Sequence, residues 1–385
     1  MGVVIFRRQN ESGGVKPHLC VRFKSEDGRL LTFAIDTTRF LSAAAQPDAY
    51  LITHAHSDHY GKSAMLSENS WCSRETAKAL EIRYDKTYKG RTFKTGETAD
   101  VCGVPVRTFD VRHAPGSAAF YWVNDAGTRI LVTGDVKDAS ALPECDILIT
   151  EASYGDPADL GCYFRDDIAG LHDAVLSHIG ERPIALGAYE FGKSQKAVSL
   201  IRAMGYNGPI AMTEKTILLT AGFLENAGEL VPLDSFGGSE TVSYSRVSYA
   251  ASEIKAGSDS FEETVVRADS LSAVRHTVPD GSDCRICIVP IHHLPYLRPG
   301  TQKYVLTCRT DYPFENIRIS DHLDVNGLTQ MVREVNPKIT VVYHPNSGSR
   351  TDRFAKHLER NGYRAFSINQ IKNIVGNGKQ ISSAD

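Results

Sequence analysis

The sequence predicts an α/β protein organised as two domains, and three features carry that expectation. The first third strings together short runs rich in β-branched and aromatic residues, LLTFAID, AYLITHA, VPVRTFDV, AAFYWV and RILVTGD, punctuated by Gly and Asp. Beyond Glu151 the pattern changes to strands alternating with helices, and near the C-terminus ITVVYH returns to a strand. With 385 residues, 42% of them hydrophobic, the chain holds enough apolar material for a large core divided between two domains.

In the middle segment DDIAGLHDAVLSHIG places Ile168, Leu171, Val175 and Ile179 at helical spacing. PIALGA reads as a buried strand, KSQKAVSLIRAMG as a helix closed by Gly205, and PIAMTE as a further strand, the βαβ rhythm of a parallel sheet. Residues Gly237 to Asp283 are rich in Ser, Gly, Glu and Asp with few large apolar clusters, which points to surface loops or an amphipathic elaboration rather than core. After ITVVYH, the stretch TDRFAKHLERNGYRAF reads as a helix with Gly362 near its end.

A formal net charge of −3 gives no global excess of positive charge for a phosphate-rich partner, so nucleic acid would have to be held by a local groove or by metal. Residues Met1 to Gly14 lack the apolar run of a signal peptide, and no stretch approaches membrane-spanning length; the expectation is a cytoplasmic protein with no membrane partner. The eight cysteines lie mostly inside apolar runs and read as reduced thiols. Cys284 and Cys287 form a CxxC without a second pair at zinc-ribbon spacing, and strand residues explain them better than a zinc site.

The most specific signal is THAHSDH, which puts His54, His56, Asp58 and His59 directly after the apolar strand AYLIT. Imidazole nitrogen and carboxylate oxygen are the ligands that zinc takes in catalytic sites. A solvated surface cluster is the plainer alternative, but a strand-end loop is where functional groups are displayed.

This HxHxDH run resembles the metallo-β-lactamase superfamily. FAID supplies the strand-end Asp36 of that family, RHAPGS supplies His113 with Arg112 in place of a small residue, and ILVTGD supplies Asp135. Three further stretches resemble the β-CASP nuclease branch: DILITEASYG with Glu151, ISDHLD with His322, and VVYHPNSG with His344. In the last, Pro345, Asn346 and Ser347 depart from the usual HG continuation. AYEFGKSQKAV, with Gly192, Lys193 and Gln195, resembles the glycine, basic and glutamine pattern of the inserted domain.

The resemblance implies an αββα metallo-β-lactamase sandwich, residues 1–158 and 317–385, interrupted by a β-CASP α/β domain at residues 159–316 and with a cleft between them. It further implies two Zn²⁺ per chain, the first held by His54, His56 and His113, the second by Asp58, His59 and His344, with Asp135 bridging and Asp36 orienting a ligand loop from behind. Zinc would activate a water as nucleophile and stabilise the negative charge of an in-line displacement. Asp58, Asp135, Glu151 and His322 form the catalytic set, with His322 as general acid and Glu151 holding its tautomer and raising its pKa. A buried polar pair is the alternative for Glu151 and His322.

The implied activity is phosphodiester hydrolysis in single-stranded nucleic acid. Histidine at the third motif favours RNA over DNA, since the crosslink-repair members usually carry an apolar residue there. A DNA exonuclease of the repair type and a catalytically silent subunit of an RNA-processing complex are the alternatives. Lys193 and Arg298 are candidates for phosphate contacts, Tyr189 and Tyr296 for base stacking, and His292 and His293 for groove or packing roles. Oligomeric state has no signature in the sequence.

Overall fold

The computed structural model describes residues 2–9, 15–40, 46–176, 179, 181–236, 284–309, 311–344 and 348–375. The segment Gly237 to Asp283, expected as surface loops or an amphipathic elaboration, and the motif departure at Pro345 to Ser347 lie outside the described residues. The chain divides into two compact units, Met1–Asp166 with Ser320–Asp385, and Asp167–Ile319. Residues 159–166 stay with the first unit because Asp166 is tied into it: its carboxylate accepts Lys137 Nζ at 3.2 Å and the Ser320 amide at 2.9 Å.

The first unit opens with β1 (Val3–Gln9), β2 (Val15–Lys24), β3 (Leu30–Ile35), β4 (Ala49–Leu51), α1 (Gly61–Ala64), β5 (Ser70–Ser73), α2 (Arg74–Tyr84) and β6 (Arg91–Phe93). It continues through β7 (Thr98–Val101), β8 (Val104–Asp110), β9 (Ala118–Val123), β10 (Arg129–Val132) and β11 (Ile147–Thr150). The second unit contains α3 (Ile168–Leu176), β12 (Ile184–Gly187), α4 (Lys193–Ala203), β13 (Ile210–Met212), α5 (Glu214–Phe223), β14 (Leu230–Pro232), β15 (Ile286–Val289), β16 (Gln302–Leu306) and β17 (Glu315–Ile317). The chain then returns to the first unit with α6 (Val325–Val335), β18 (Ile339–Val342), α7 (Arg350–Arg360), β19 (Ala365–Ser367) and β20 (Ile374–Val375).

Among the described residues the first unit has two sheets, ordered β20-β1-β2-β3-β4-β5-β6 and β19-β18-β11-β10-β9-β8-β7. Alternate residues of most of their strands enter one shared core. Leu31, Phe33 and Ile35 come from β3, Phe120 and Trp122 from β9, and Ile147 and Ile149 from β11. This period of two is the signature of a sheet face packed against another. Phe23, Phe33 and Trp122 meet at its centre with ring centroids 4.9 to 5.7 Å apart, a geometry that adds about 0.5–1.5 kcal/mol per pair beyond burial. The result is the expected αββα sandwich. Crucially, β18 pairs in parallel with β11, Val341 opposite Ile149, so the returning chain ends beside Glu151.

The second unit is a parallel sheet, β14-β13-β15-β12-β16-β17, with an apolar core of its own from α3, α4, α5 and the strands. Two helix expectations need correction. Ile168 opens α3 and is 41% exposed, so the apolar stripe starts at Leu171. The helix expected through TDRFAKHLERNGYRAF stops at Arg360, because Gly362 takes φ +86° and the Tyr363 amide turns back to the Leu358 carbonyl. The remaining AFS becomes β19 on the edge of β18. His292 and His293 lie in a short 3₁₀ turn, Ile291–Tyr296, that follows β15 and contains Pro295.

Candidate metal centre

The chemistry-bearing residues follow the C-terminal ends of strands in the first unit: Asp36 after β3, the THAHSDH run after β4, His113 after β8, Asp135 after β10, Glu151 after β11 and His344 after β18. Parallel neighbours present these ends on one edge, so residues far apart in sequence converge there. His322, on the returning chain before α6, joins them through Glu151.

Two groups result. In the first, His56 Nδ1 lies 3.0 Å from His54 Nε2 and 2.9 Å from His113 Nε2. In the second, His344 Nε2 is 3.9 Å from an oxygen of Asp58 and shares Asp135 with His59. Asp135 stands between them: Oδ2 is 3.4 Å from His113 Nε2 and 3.7 Å from His54 Nε2, while Oδ1 is 3.4 Å from both His59 Nε2 and His344 Nε2. One ligand atom each from His54, His56, His113 and Asp135, and likewise from Asp58, His59 and His344, falls within metal-binding range.

Ring orientations are fixed from behind. His59 Nδ1 donates to Asp36 Oδ2 at 2.7 Å, and His113 Nδ1 donates to the Asp321 carbonyl at 2.8 Å. Each contact ties Nδ1–H behind the ring and turns Nε2 inward, the orientation that metal-ligating histidines use. Ser117 Oγ accepts the amides of His113 and Ala114, which holds that loop shut. Arg112 takes φ +52°, so the family's small residue suits this position by backbone conformation, and here an exposed arginine bears the strain.

The electrostatics fit cations. Burial, reinforced by the neighbouring imidazoles, holds His54 well below its usual pKa and pushes His113 down to about 3, which keeps both rings neutral. Burial opposes ionisation of Asp135, but His59 and His344 outweigh it and hold the carboxyl well below the usual range. His59 goes the other way: burial disfavours its charge, yet Asp135 and Asp36 flank it and raise its pKa well above normal. Positive charge is therefore favoured at this point. Among the described residues, buried His59 Nε2 and Asp135 Oδ1 find no hydrogen-bond partner, as expected where a metal ion completes the set.

Glu151, Asp135 and His322 also fall within ligand distance of one another. Glu151, however, is already engaged: Oε1 accepts the Val136 amide at 2.7 Å, Oε2 accepts the Ser153 amide at 3.1 Å, and both lie 2.9 Å from His322 Nδ1. The His322 ring packs 4.5 Å from His113 and 5.6 Å from Tyr154, centroid to centroid.

The structure thus brings together His54, His56, Asp58, His59, His113, Asp135, Glu151, His322 and His344. The sequence reading missed Thr53, Ser117's hydroxyl and the Asp321 carbonyl. A hydroxyl residue abutting His54 was a usable signal for the first; a main-chain carbonyl has none.

The second unit differs from expectation at Lys193, which is 2% exposed with its ammonium 5.1 Å from the Tyr189 ring centroid and so is no open phosphate contact. Gln195 is structural, its Oε1 accepting the Gly192 amide and its Nε2 reaching Thr220 Oγ1. Tyr189 and Tyr296 are 47% and 87% exposed. The rings of His292 and His293 pack on each other at 4.4 Å. Cys284 and Cys287 are buried free thiols, and among the described residues neither belongs to a metal-binding group. No described helix is long and apolar enough to cross a membrane.

Comparison with known proteins finds a matching family domain and several relatives. Residues 32–182 match the beta-lactamase superfamily domain. An RNase J-like protein of Methanocaldococcus jannaschii is 27% identical over 172 residues, 37% of this chain and 41% of that one. The DNA cross-link repair protein pso2/snm1 of Schizosaccharomyces pombe is 30% identical over 196 residues, covering 45% and 34%. A probable DNA ligase of Opitutus terrae is 23% identical over 337 residues, 83% of this chain but 28% of that one. Each match thus spans well under two thirds of the relative. A crystal structure of a protein of unknown function from Enterococcus faecalis V583 shares the fold, with a TM-score of 0.58, 12% identity, and 95% and 97% of the two chains covered. Residues 32–182 thus form a beta-lactamase superfamily domain, within a chain similar to the RNase J-like and DNA cross-link repair proteins.

Proposed function

We propose that this chain is a two-zinc phosphodiester hydrolase acting on single-stranded nucleic acid. The observation that carries the reading is the division of the Asp135 carboxylate between two ligand groups, with the Glu151–His322 pair fastened to the adjoining backbone. Zinc at these positions supplies Lewis acidity for a phosphoryl group and for water. His54, His56 and His113 hold the first ion, and Asp58, His59 and His344 the second. Glu151 fixes His322 with Nδ1–H donated, so that Nε2 is the nitrogen that holds and delivers a proton to the departing nucleoside oxygen. Thioesters and lactams are poorer candidates, because a built general acid answers the need of an alkoxide leaving group.

For the choice of strand, the preference for RNA rests on histidine at position 344. His344 faces Asp135 and Asp58, so its position marks it as a metal-ligand candidate and is no contact built for a 2′-hydroxyl. The name of the M. jannaschii relative supports RNA, whereas the cross-link repair protein and the DNA ligase support DNA. DNA is therefore the leading substrate and RNA the second reading. Matched 5′- and 3′-labelled single strands of each, incubated with the purified protein with and without chelator, test both; no cleavage of either strand under zinc-replete conditions refutes the function.

A further inference from the structure

Thr53 precedes the histidine run and is 1% exposed. Its hydroxyl lies 2.8 Å from Asp36 Oδ2 and 3.0 Å from His54 Nδ1, and its amide donates to Asp36 Oδ1 at 2.8 Å. A hydroxyl has one proton to give. Donated to His54, that proton would leave the Asp36 carboxylate facing a bare hydroxyl oxygen in a buried site, two acceptors in contact. The proton therefore goes to Asp36, and the Thr53 lone pair must receive Nδ1–H of His54. That fixes the tautomer of His54 and leaves Nε2 as the lone-pair nitrogen facing His56 and Asp135.

Asp36 Oδ2 also accepts His59 Nδ1. One carboxylate oxygen thus governs a histidine in each ligand group: His59 directly, His54 only through Thr53. Gly134, at φ +60°, lets the Asp135 loop close onto this hydroxyl residue, since a Cβ there would come within 2.6 Å of Thr53 Cβ and Oγ1. The sequence therefore has reason to keep both the hydroxyl and its bare glycine neighbour.

We infer that Thr53 is a positioning residue for the first metal ion, setting the His54 tautomer by relaying the Asp36 carboxylate; this rests on the proposed two-metal reading of the centre. Zinc titrations against a competing chelator test it, comparing wild type with Thr53→Val and Thr53→Ser. Removing such an outer partner costs about 10–100-fold in metal affinity, and the loss in Thr53→Val should fall on one ion, because His59 keeps Asp36. Thr53→Ser should bind both ions like the wild type. Equal affinity in wild type and Thr53→Val, or a Thr53→Ser as weak as Thr53→Val, overturns the relay. A wild type that binds no zinc instead overturns the metal reading itself. Should Thr53→Val fail to fold, ¹⁵N spectra of the zinc-loaded wild type decide: His54 should carry its proton on Nδ1, and a bare Nδ1 rules the relay out.

Discussion

Both carboxylate oxygens of Glu151 lie 2.9 Å from His322 Nδ1. Burial works against the charge on Glu151, but His322 outweighs it and holds the carboxyl below its usual range, so Glu151 is an acceptor and His322 Nδ1 the donor. If His322 delivers a proton through Nε2, His322→Ala should lower turnover by about 10²–10⁴-fold with the metal content of the wild type. A substrate with a good leaving group should recover much of the lost rate. Depletion of metal in His322→Ala would make His322 a ligand, the alternative its distance from Asp135 keeps open.

The shared carboxylate makes a sharper claim on stoichiometry. Asp135 serves both groups, whereas His344 stands with Asp58 and Asp135 Oδ1 in the second group. Elemental analysis should therefore find about two zinc ions in the wild type, about one in His344→Ala, and neither at full occupancy in Asp135→Ala. Asp135→Ala retaining both ions would remove the bridging role.

Much of this centre was legible in the sequence for a physical reason. Candidate ligands are side chains of restricted type at strand ends, so THAHSDH stands out by itself, whereas His113, Asp135 and His344, separated by an inserted unit, are picked out only by their resemblance to family motifs. The supports were less legible. Asp36 could be read from its place at the end of β3, but the Asp321 carbonyl that orients His113 could not, since every residue carries one. Lys193 shows the converse: a basic residue in a family-like run suggested a phosphate contact, and burial against Tyr189 is a property of the fold that local sequence does not encode. The overextended helix before β19 is a boundary error of the same kind, since Gly362 marks the stop but not the strand beyond it.

Stability should show its own pH dependence through Asp146, at the start of β11. Arg129 Nε at 3.1 Å and Lys338 Nζ at 3.0 Å, together with the Arg129 amide, hold its carboxyl well below the usual carboxylate range. A depressed folded-state pKa contributes stability above the unfolded value near ~4, lost as pH falls through the folded one. Because Arg129 and Lys338 are partly exposed, Asp146→Asn should cost only about 1–2 kcal/mol at neutral pH. Denaturant titrations at pH 7 and at about pH 3 should show the gap between wild type and variant narrowing in acid; a gap that widens would refute the assignment.

Substrate choice is where sequence and relatives pull apart, and the reaction itself can decide. An overall charge of −3 argues against tight, sequence-independent grip on duplex, which needs many cationic contacts. Exposed Tyr189 and Tyr296 instead offer faces on which unpaired bases can stack, at about 1–3 kcal/mol per base. Single strands should therefore be cut faster than duplex, and Tyr296→Ala should weaken single-strand binding while leaving zinc content unchanged. The products should carry 5′-phosphate and 3′-hydroxyl ends, because protonation by His322 falls on the departing 3′ oxygen. Under matched salt and zinc, single-stranded DNA should be degraded faster than RNA of the same sequence. RNA cleaved about ten times faster, a difference of roughly 1.4 kcal/mol in the barrier, would return the assignment to RNA processing and leave the metal centre as described.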